Sequence, residues 1–117
     1  MHIILTHEQA DFDALASLLG AHLLDETAIP VLPRRMNRNV SAFITLYGVE
    51  LPFVDPRDLT GDQIQSVTLV DTQSMVSIRG MNANTKFQVI DHHPRRDNLP
   101  DEWKVTIDET GANTTLI

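Results

Sequence analysis

A chain of 117 residues is long enough for one compact domain with a real core and too short for two of ordinary size. With 42% apolar and 21% charged residues it reads as a soluble globular protein, and its net charge of −7 argues against coating long nucleic acids by charge alone. No apolar run approaches the ~20 residues of a membrane span and no signal-peptide pattern opens the chain, so a cytoplasmic location is expected; without cysteine, any metal must be held by His, Asp or Glu.

Residues 2 to 6 form a short apolar run, predicted as a strand. Residues 13 to 24 then carry Leu15, Leu18, Leu19, Ala21, His22 and Leu23 at helical spacing. A second strand is predicted over 28 to 32, ended by Pro33. A second helix is predicted over 40 to 47, where Val40, Phe43, Ile44 and Tyr47 share a face and Gly48 stops it. Residues 51 to 54 suggest a brief strand before the Asp55-Pro56 turn. Residues 67 to 70 and 87 to 90 are apolar without alternation, as strands buried on both sides are, and 104 to 107 reads as an edge strand. The expected fold is α/β: an open, mostly parallel sheet with helices on both faces. Gly111 to Ile117 reads as a helix start with no cap or following strand. The 117 residues are therefore expected to be the N-terminal portion of a larger domain, truncated at the C-terminus.

In an open parallel sheet the ligand site lies beyond the carboxyl ends of the strands. Three predicted strands end in residues that bind metals: His7 and Asp11 after the first, Asp71 after 67 to 70, and Asp91-His92-His93 after 87 to 90. Asp13 joins the first set. Each has an ordinary alternative: Asp11 or Asp13 as a helix cap, Asp71 in a turn, the histidines on the surface. The coincidence of three strand ends favours a shared metal site. Mixed imidazole and carboxylate donors suit Mn²⁺, with Mg²⁺ or Co²⁺ as alternatives. A pair of such cations would activate water and neutralise a phosphoryl transition state, which makes phosphate ester hydrolysis the expected chemistry.

The segments from His7 to Ser17, Asp71-Thr72-Gln73, Asp91-His92-His93-Pro94 and Gly111-Ala112-Asn113-Thr114-Thr115 resemble the four successive motifs of the DHH phosphoesterases. That family includes RecJ-type exonucleases, oligoribonucleases, cyclic dinucleotide phosphodiesterases, exopolyphosphatases and manganese-dependent pyrophosphatases. The resemblance implies two divalent ions, with His7 and Asp11 on one, Asp13 and His92 on the other, and Asp71 bridging. It implies that His93 contacts the substrate phosphate, that Asp91 orients a histidine, and that Gly111, Asn113, Thr114 and Thr115 bind substrate. Family members carry a further metal-binding Asp downstream and a second domain that grips the substrate. Neither occurs here, so little turnover is expected of these residues alone.

Arg34, Arg35 and Arg38 form one basic cluster, and Arg95 and Arg96 another that could reach substrate phosphates. Residues 33 to 59 most resemble DHH modules placed ahead of CBS domains and a tRNA nucleotidyltransferase or poly(A) polymerase-like domain. The expected partners are a small nucleotide or short oligonucleotide, the C-terminal domains of the same chain, and a second copy if an exposed sheet edge pairs. No membrane partner is expected. The competing reading is a non-catalytic module that binds metal and nucleotide within a larger RNA-processing protein.

Overall fold

The computed structural model describes residues 1–59, 61–74, 78–92 and 99–107. Five strands, β1 (His2–Leu5), β2 (Ala28–Pro30), β3 (Ser66–Val70), β4 (Lys86–Asp91) and β5 (Lys104–Ile107), form one sheet in the order β2-β1-β3-β4-β5. Every neighbouring pair is parallel. Parallel pairing requires a crossover between consecutive strands, and α1 (Phe12–Leu24) and α2 (Arg38–Tyr47) supply the first two. Strand order reverses at β1, so the crevice between β1 and β3 is the topological switch point.

The α/β class and the parallel sheet match the sequence expectation, and the strands begin or end within two residues of the predicted bounds. The apolar runs form two cores. On one face Ile4, Val70 and partly buried Ile90 meet Leu15, Leu18 and Ala21 of α1 and Val40 of α2. Ala14 and Ser17 are also buried on α1, and their small side chains let the helix lie close to the sheet. Phe43 of α2 packs edge-on against Phe12 with ring centroids 5.8 Å apart, linking the two helices.

On the other face Ile3, Leu5, Val67, Leu69 and Val89 are covered by Val31, Ile64 and the flanking Leu59, Ile78, Met81 and Trp103. Among the described residues this face is closed by connecting segments, while both helices share the first face. Trp103 stacks on Phe87 at 4.9 Å and roofs the end of the sheet nearest β5.

Residues 51 to 54 contribute less than the predicted strand: only Val54 pairs, bridging Val31. Val54 N donates to Pro30 O and Leu32 N donates to Val54 O, so this residue covers part of the β2 edge. Pro30 lacks an N–H and fits an edge strand. His22, counted on the apolar face of α1, closes the crossover instead, its Nδ1 donating to Ala28 O at 2.8 Å.

Helix α2 begins where Asn37 Oδ1 accepts from Val40 N at 2.9 Å. Asn37→Ala is expected to cost about 1 kcal/mol in urea unfolding, as lost caps do; a change below about 0.3 kcal/mol would show that tertiary packing alone fixes this end. Among the described residues no helix is long and apolar enough to cross a membrane.

Candidate metal centre

The sheet register brings the strand-end residues level. Leu5 pairs with Leu69 and Val70 with Ile90, so His7 stands opposite Asp71 and His92 lies one residue beyond the partner position. Asp71 N donates to Ile90 O at 3.0 Å, extending the ladder by one bond. The chain then turns out of the sheet at Asp71, whose φ of 57° lies in the left-handed region that Asp tolerates better than most residues.

Asp71 is the centre of the cluster and is 3% exposed. His7 Nε2 donates to its Oδ2 at 3.1 Å, and His92 Nε2 stands 2.8 Å from its Oδ1. His92 Nε2 is also 3.7 Å from Asp13 Oδ2. Two groups thereby share Asp71: His7, Asp11 and Asp71 in one, Asp13, Asp71 and His92 in the other, each with ligand atoms within 4.8 Å of one another.

The donor set fits a divalent cation. Two ligand atoms at right angles on one ion, each about 2.1 Å from it, lie about 3 Å apart. Asp71 Oδ1 is buried and stands 2.8 Å from His92 Nε2. A buried carboxylate oxygen in that position costs free energy unless a positive charge faces it.

Without a cation, the His7 imidazolium supplies positive charge at the other oxygen of Asp71. The hydrogen bond to Asp71 raises His7 to about 9, against the opposing effect of burial, with help from the Glu8 carbonyl. Burial pushes the Asp71 carboxyl up, but the His7 hydrogen bond and the charges of His7 and His92 outweigh it and hold the group below its ordinary value.

Each remaining candidate ligand is placed by local structure. His7 Nδ1 donates to Glu8 O at 2.8 Å, which leaves Nε2 to face Asp71. Asp11 is the N-cap of α1, its Oδ1 accepting from Ala14 N at 2.9 Å, and the same residue belongs to the group with His7 and Asp71 that could hold a cation. Asp13 lies in the first turn. Asp11→Ser is expected to keep the cap, within about 0.5 kcal/mol of stability, while weakening Mn²⁺ binding about tenfold or more; Asp11→Ala is expected to lose both. Calorimetric titration beside thermal melts separates the two effects. Equal Mn²⁺ affinity in wild type and Asp11→Ser would remove Asp11 from the ligand set.

Asp91 stands behind the cluster, 1% exposed. Its Oδ1 accepts from His92 N at 2.8 Å and its Oδ2 from Gln73 Nε2 at 2.9 Å. It therefore braces the backbone that presents His92. Gln73, given no role by sequence reasoning, is buried and ties the β3 end to the β4 end. Its place two residues after Asp71 was the available signal. His93, Arg95, Arg96, Gly111, Asn113, Thr114 and Thr115 lie outside the described residues.

A parallel α/β sheet with imidazoles and carboxylates gathered at its switch point is an arrangement that could hold a cation at the strand ends. The chain belongs to the DHH family: residues 2–116 match the model described as "DHH family, N-terminal domain". That family is generally one of metal-dependent phosphoesterases. The chain is also 28% identical over 123 residues to an A-adding tRNA nucleotidyltransferase of Geobacter sulfurreducens, a match covering all of this chain and 14% of that relative. The chain thus spans only a small part of the length of the curated relative it matches.

Proposed function

We propose that this chain is the metal-binding core of a phosphoesterase that hydrolyses phosphodiester or phosphoanhydride bonds, acting on short nucleotides with two divalent cations. The observation that carries the reading is Asp71, a buried carboxylate whose two oxygens face histidines from two different strand ends. His7 and Asp11 would hold one ion, Asp13 and His92 the other, and Asp71 both. Such ions supply a water of lowered pKa and positive charge opposite the phosphoryl group. Ligands must be deprotonated, so loading is expected to displace the proton that His7 carries in the metal-free protein. Mn²⁺ is the favoured ion for this mixed donor set, ahead of Mg²⁺ and Co²⁺.

In this reading Asp91 positions His92 through its backbone, and His93 contacts the substrate phosphate. Arg95, Arg96, Gly111, Asn113, Thr114 and Thr115 complete the substrate contacts. The similarity to a far longer tRNA nucleotidyltransferase supports a further proposal: the chain is the leading portion of a DHH domain, followed in the same protein by a substrate-binding domain, CBS domains and a nucleotidyltransferase domain.

The test is Mn²⁺-dependent hydrolysis of short RNA, cyclic dinucleotides, polyphosphate and pyrophosphate by the full-length protein and its Asp71→Asn variant. Turnover present in the first and lost in the second supports the proposal and names the substrate. Normal Mn²⁺ binding with no hydrolysis of any of the four overturns it in favour of a metal- and nucleotide-binding module.

A further inference from the structure

On the β2 side of the cluster a basic segment is fixed to the loop that carries His7 and Asp11. Arg35 N donates to Glu8 Oε2 at 2.9 Å, Gln9 N donates to Arg35 O at 3.0 Å, and Asn37 N donates to Ala10 O at 3.2 Å. Ala10 and Met36 form a parallel bridge beside them. These three bonds hold residues 35 to 37 in register with residues 8 to 10, so Arg34 is presented from a surface continuous with the metal-binding loop.

Next to this segment lies an open groove of about 590 Å³, between the chain leaving β2 and the turn at Pro56. Its wall is apolar at Leu32, Pro33, Met36 and Pro56 and charged at Arg34, Arg57 and Asp55. Arg57 is engaged by Asp55 at 2.9 Å. Among the described residues no carboxylate lies within ion-pair distance of Arg34, Arg35 or Arg38. In a chain with 16 acidic and nine basic residues, three arginines without such partners lie on or next to the segment bonded to the loop that carries His7 and Asp11.

A hollow of about 20 Å³ lies alongside, lined by Thr6, Glu8 and Arg34 among others. It is large enough for one water. Thr6 Oγ1, on its lining, is buried without a hydrogen-bond partner among the described residues. Glu8, whose Oε2 is taken by Arg35 N, keeps this hollow from being the place for a phosphate.

We propose that the groove is the subsite for the nucleotide next to the scissile phosphate in a single-stranded chain. The Arg34 guanidinium takes the flanking phosphate, and the apolar wall takes the adjoining ribose and base. The inference rests on the phosphoesterase reading of the neighbouring cluster and narrows it. Pyrophosphate and polyphosphate have charge but no apolar surface, so they would use Arg34 and leave the wall wet, whereas an oligonucleotide presents both features at once.

The experiment compares wild type, Arg34→Ala and Arg34→Lys in the full-length protein with Mn²⁺, on tetra-adenylate and on the p-nitrophenyl ester of thymidine monophosphate, which has no flanking phosphate. Arg34→Ala is expected to raise KM for the tetranucleotide about tenfold more than KM for the ester, with kcat on the tetranucleotide retained. Arg34→Lys, which keeps the charge and loses the planar fork, is expected to fall between. An equal change on both substrates, or none on the tetranucleotide, overturns the subsite.

Binding of labelled tetra-adenylate, followed by fluorescence anisotropy without metal across a salt series, reads the groove independently of turnover. Arg34→Ala is expected to weaken binding about tenfold and to reduce the slope of log K against log salt by about 0.7, the share of one single-strand phosphate contact. An unchanged slope overturns the proposal even where hydrolysis is seen. If no substrate is hydrolysed but the slope falls as expected, the phosphoesterase reading fails and the nucleotide groove stands.

Discussion

Replacing Asp71 by Asn is expected to lower Mn²⁺ affinity at least about a hundredfold while leaving the protein folded. Residues that merely orient a metal ligand cost about 10- to 100-fold when changed, and Asp71 belongs to both ligand groups, so its loss removes a charge from each. Asn is the informative replacement. It has the size of Asp, tolerates the positive φ of 57° at this position, and can still accept from His7 through its amide oxygen.

The metal-free protein gives a second readout of the same substitution. The folded pKa of His7 lies above its ordinary 6.5, at about 9, so the stability this pair contributes is fully present below 6.5 and is lost as pH rises through 9. The melting temperature of wild type should therefore exceed that of Asp71→Asn most clearly near pH 6, and the gap should narrow by about pH 9 to 10. Calorimetric titration with Mn²⁺ and melts in chelator check both arms. Wild-type affinity in the variant would remove Asp71 from the metal site, and a pH-independent gap would deny the His7–Asp71 ion pair.

The candidate site was legible because its residues derive from two local facts. Apolar runs at 67 to 70 and 87 to 90 mark buried parallel strands, and residues just past the carboxyl end of such a strand lie at the ligand-binding edge. The sequence left Asp11 and Asp13 open as caps or ligands. The structure assigns the cap to Asp11 Oδ1 alone and still leaves both residues within reach of the cluster.

Features set by contacts between distant segments were not legible. The pairing of residues 35 to 37 with 8 to 10 crosses more than twenty positions and relies on backbone atoms, which leave no pattern in residue type. The buried bond between Gln73 and Asp91 joins two strand ends whose register is fixed by the whole sheet. Sharing of one sheet face by α1 and α2 depends on where each crossover lands, and both helices carry the same kind of apolar stripe whichever face they cover. The predicted strand over 51 to 54 shrank to Val54 because Asp55 caps the turn that begins at Pro56 and draws the chain away from β2.

Gly80→Ala is expected to destabilise the protein by about 3 kcal/mol without altering Mn²⁺ affinity in the folded state. Gly80 has φ of 108°, where an L side chain is strained, and a Cβ there would lie 2.3 Å from Asp62 O and 3.2 Å from Ile64 Cγ1. The first contact is backbone and cannot be relieved by a rotamer change. Moving it disturbs the Ile64 N to Gly80 O bond of 2.9 Å and with it the fully buried Ile64, which plugs the face of the sheet that no described helix covers. Gln65 N to Met1 O and Lys86 N to Gln65 O continue the same seam, so strain at Gly80 spreads across the starts of β1, β3 and β4. The candidate metal ligands sit at the opposite, carboxyl end of those strands, and a parallel sheet separates the two edges by the length of its strands. Urea unfolding beside Mn²⁺ titration, at a temperature where the variant remains folded, tests this division. A loss below about 0.5 kcal/mol would mean that the 62 to 64 segment yields freely. A fall in Mn²⁺ affinity in the folded variant would mean that strain at the amino edge reaches Asp71 through β3, and that the two edges act as one unit.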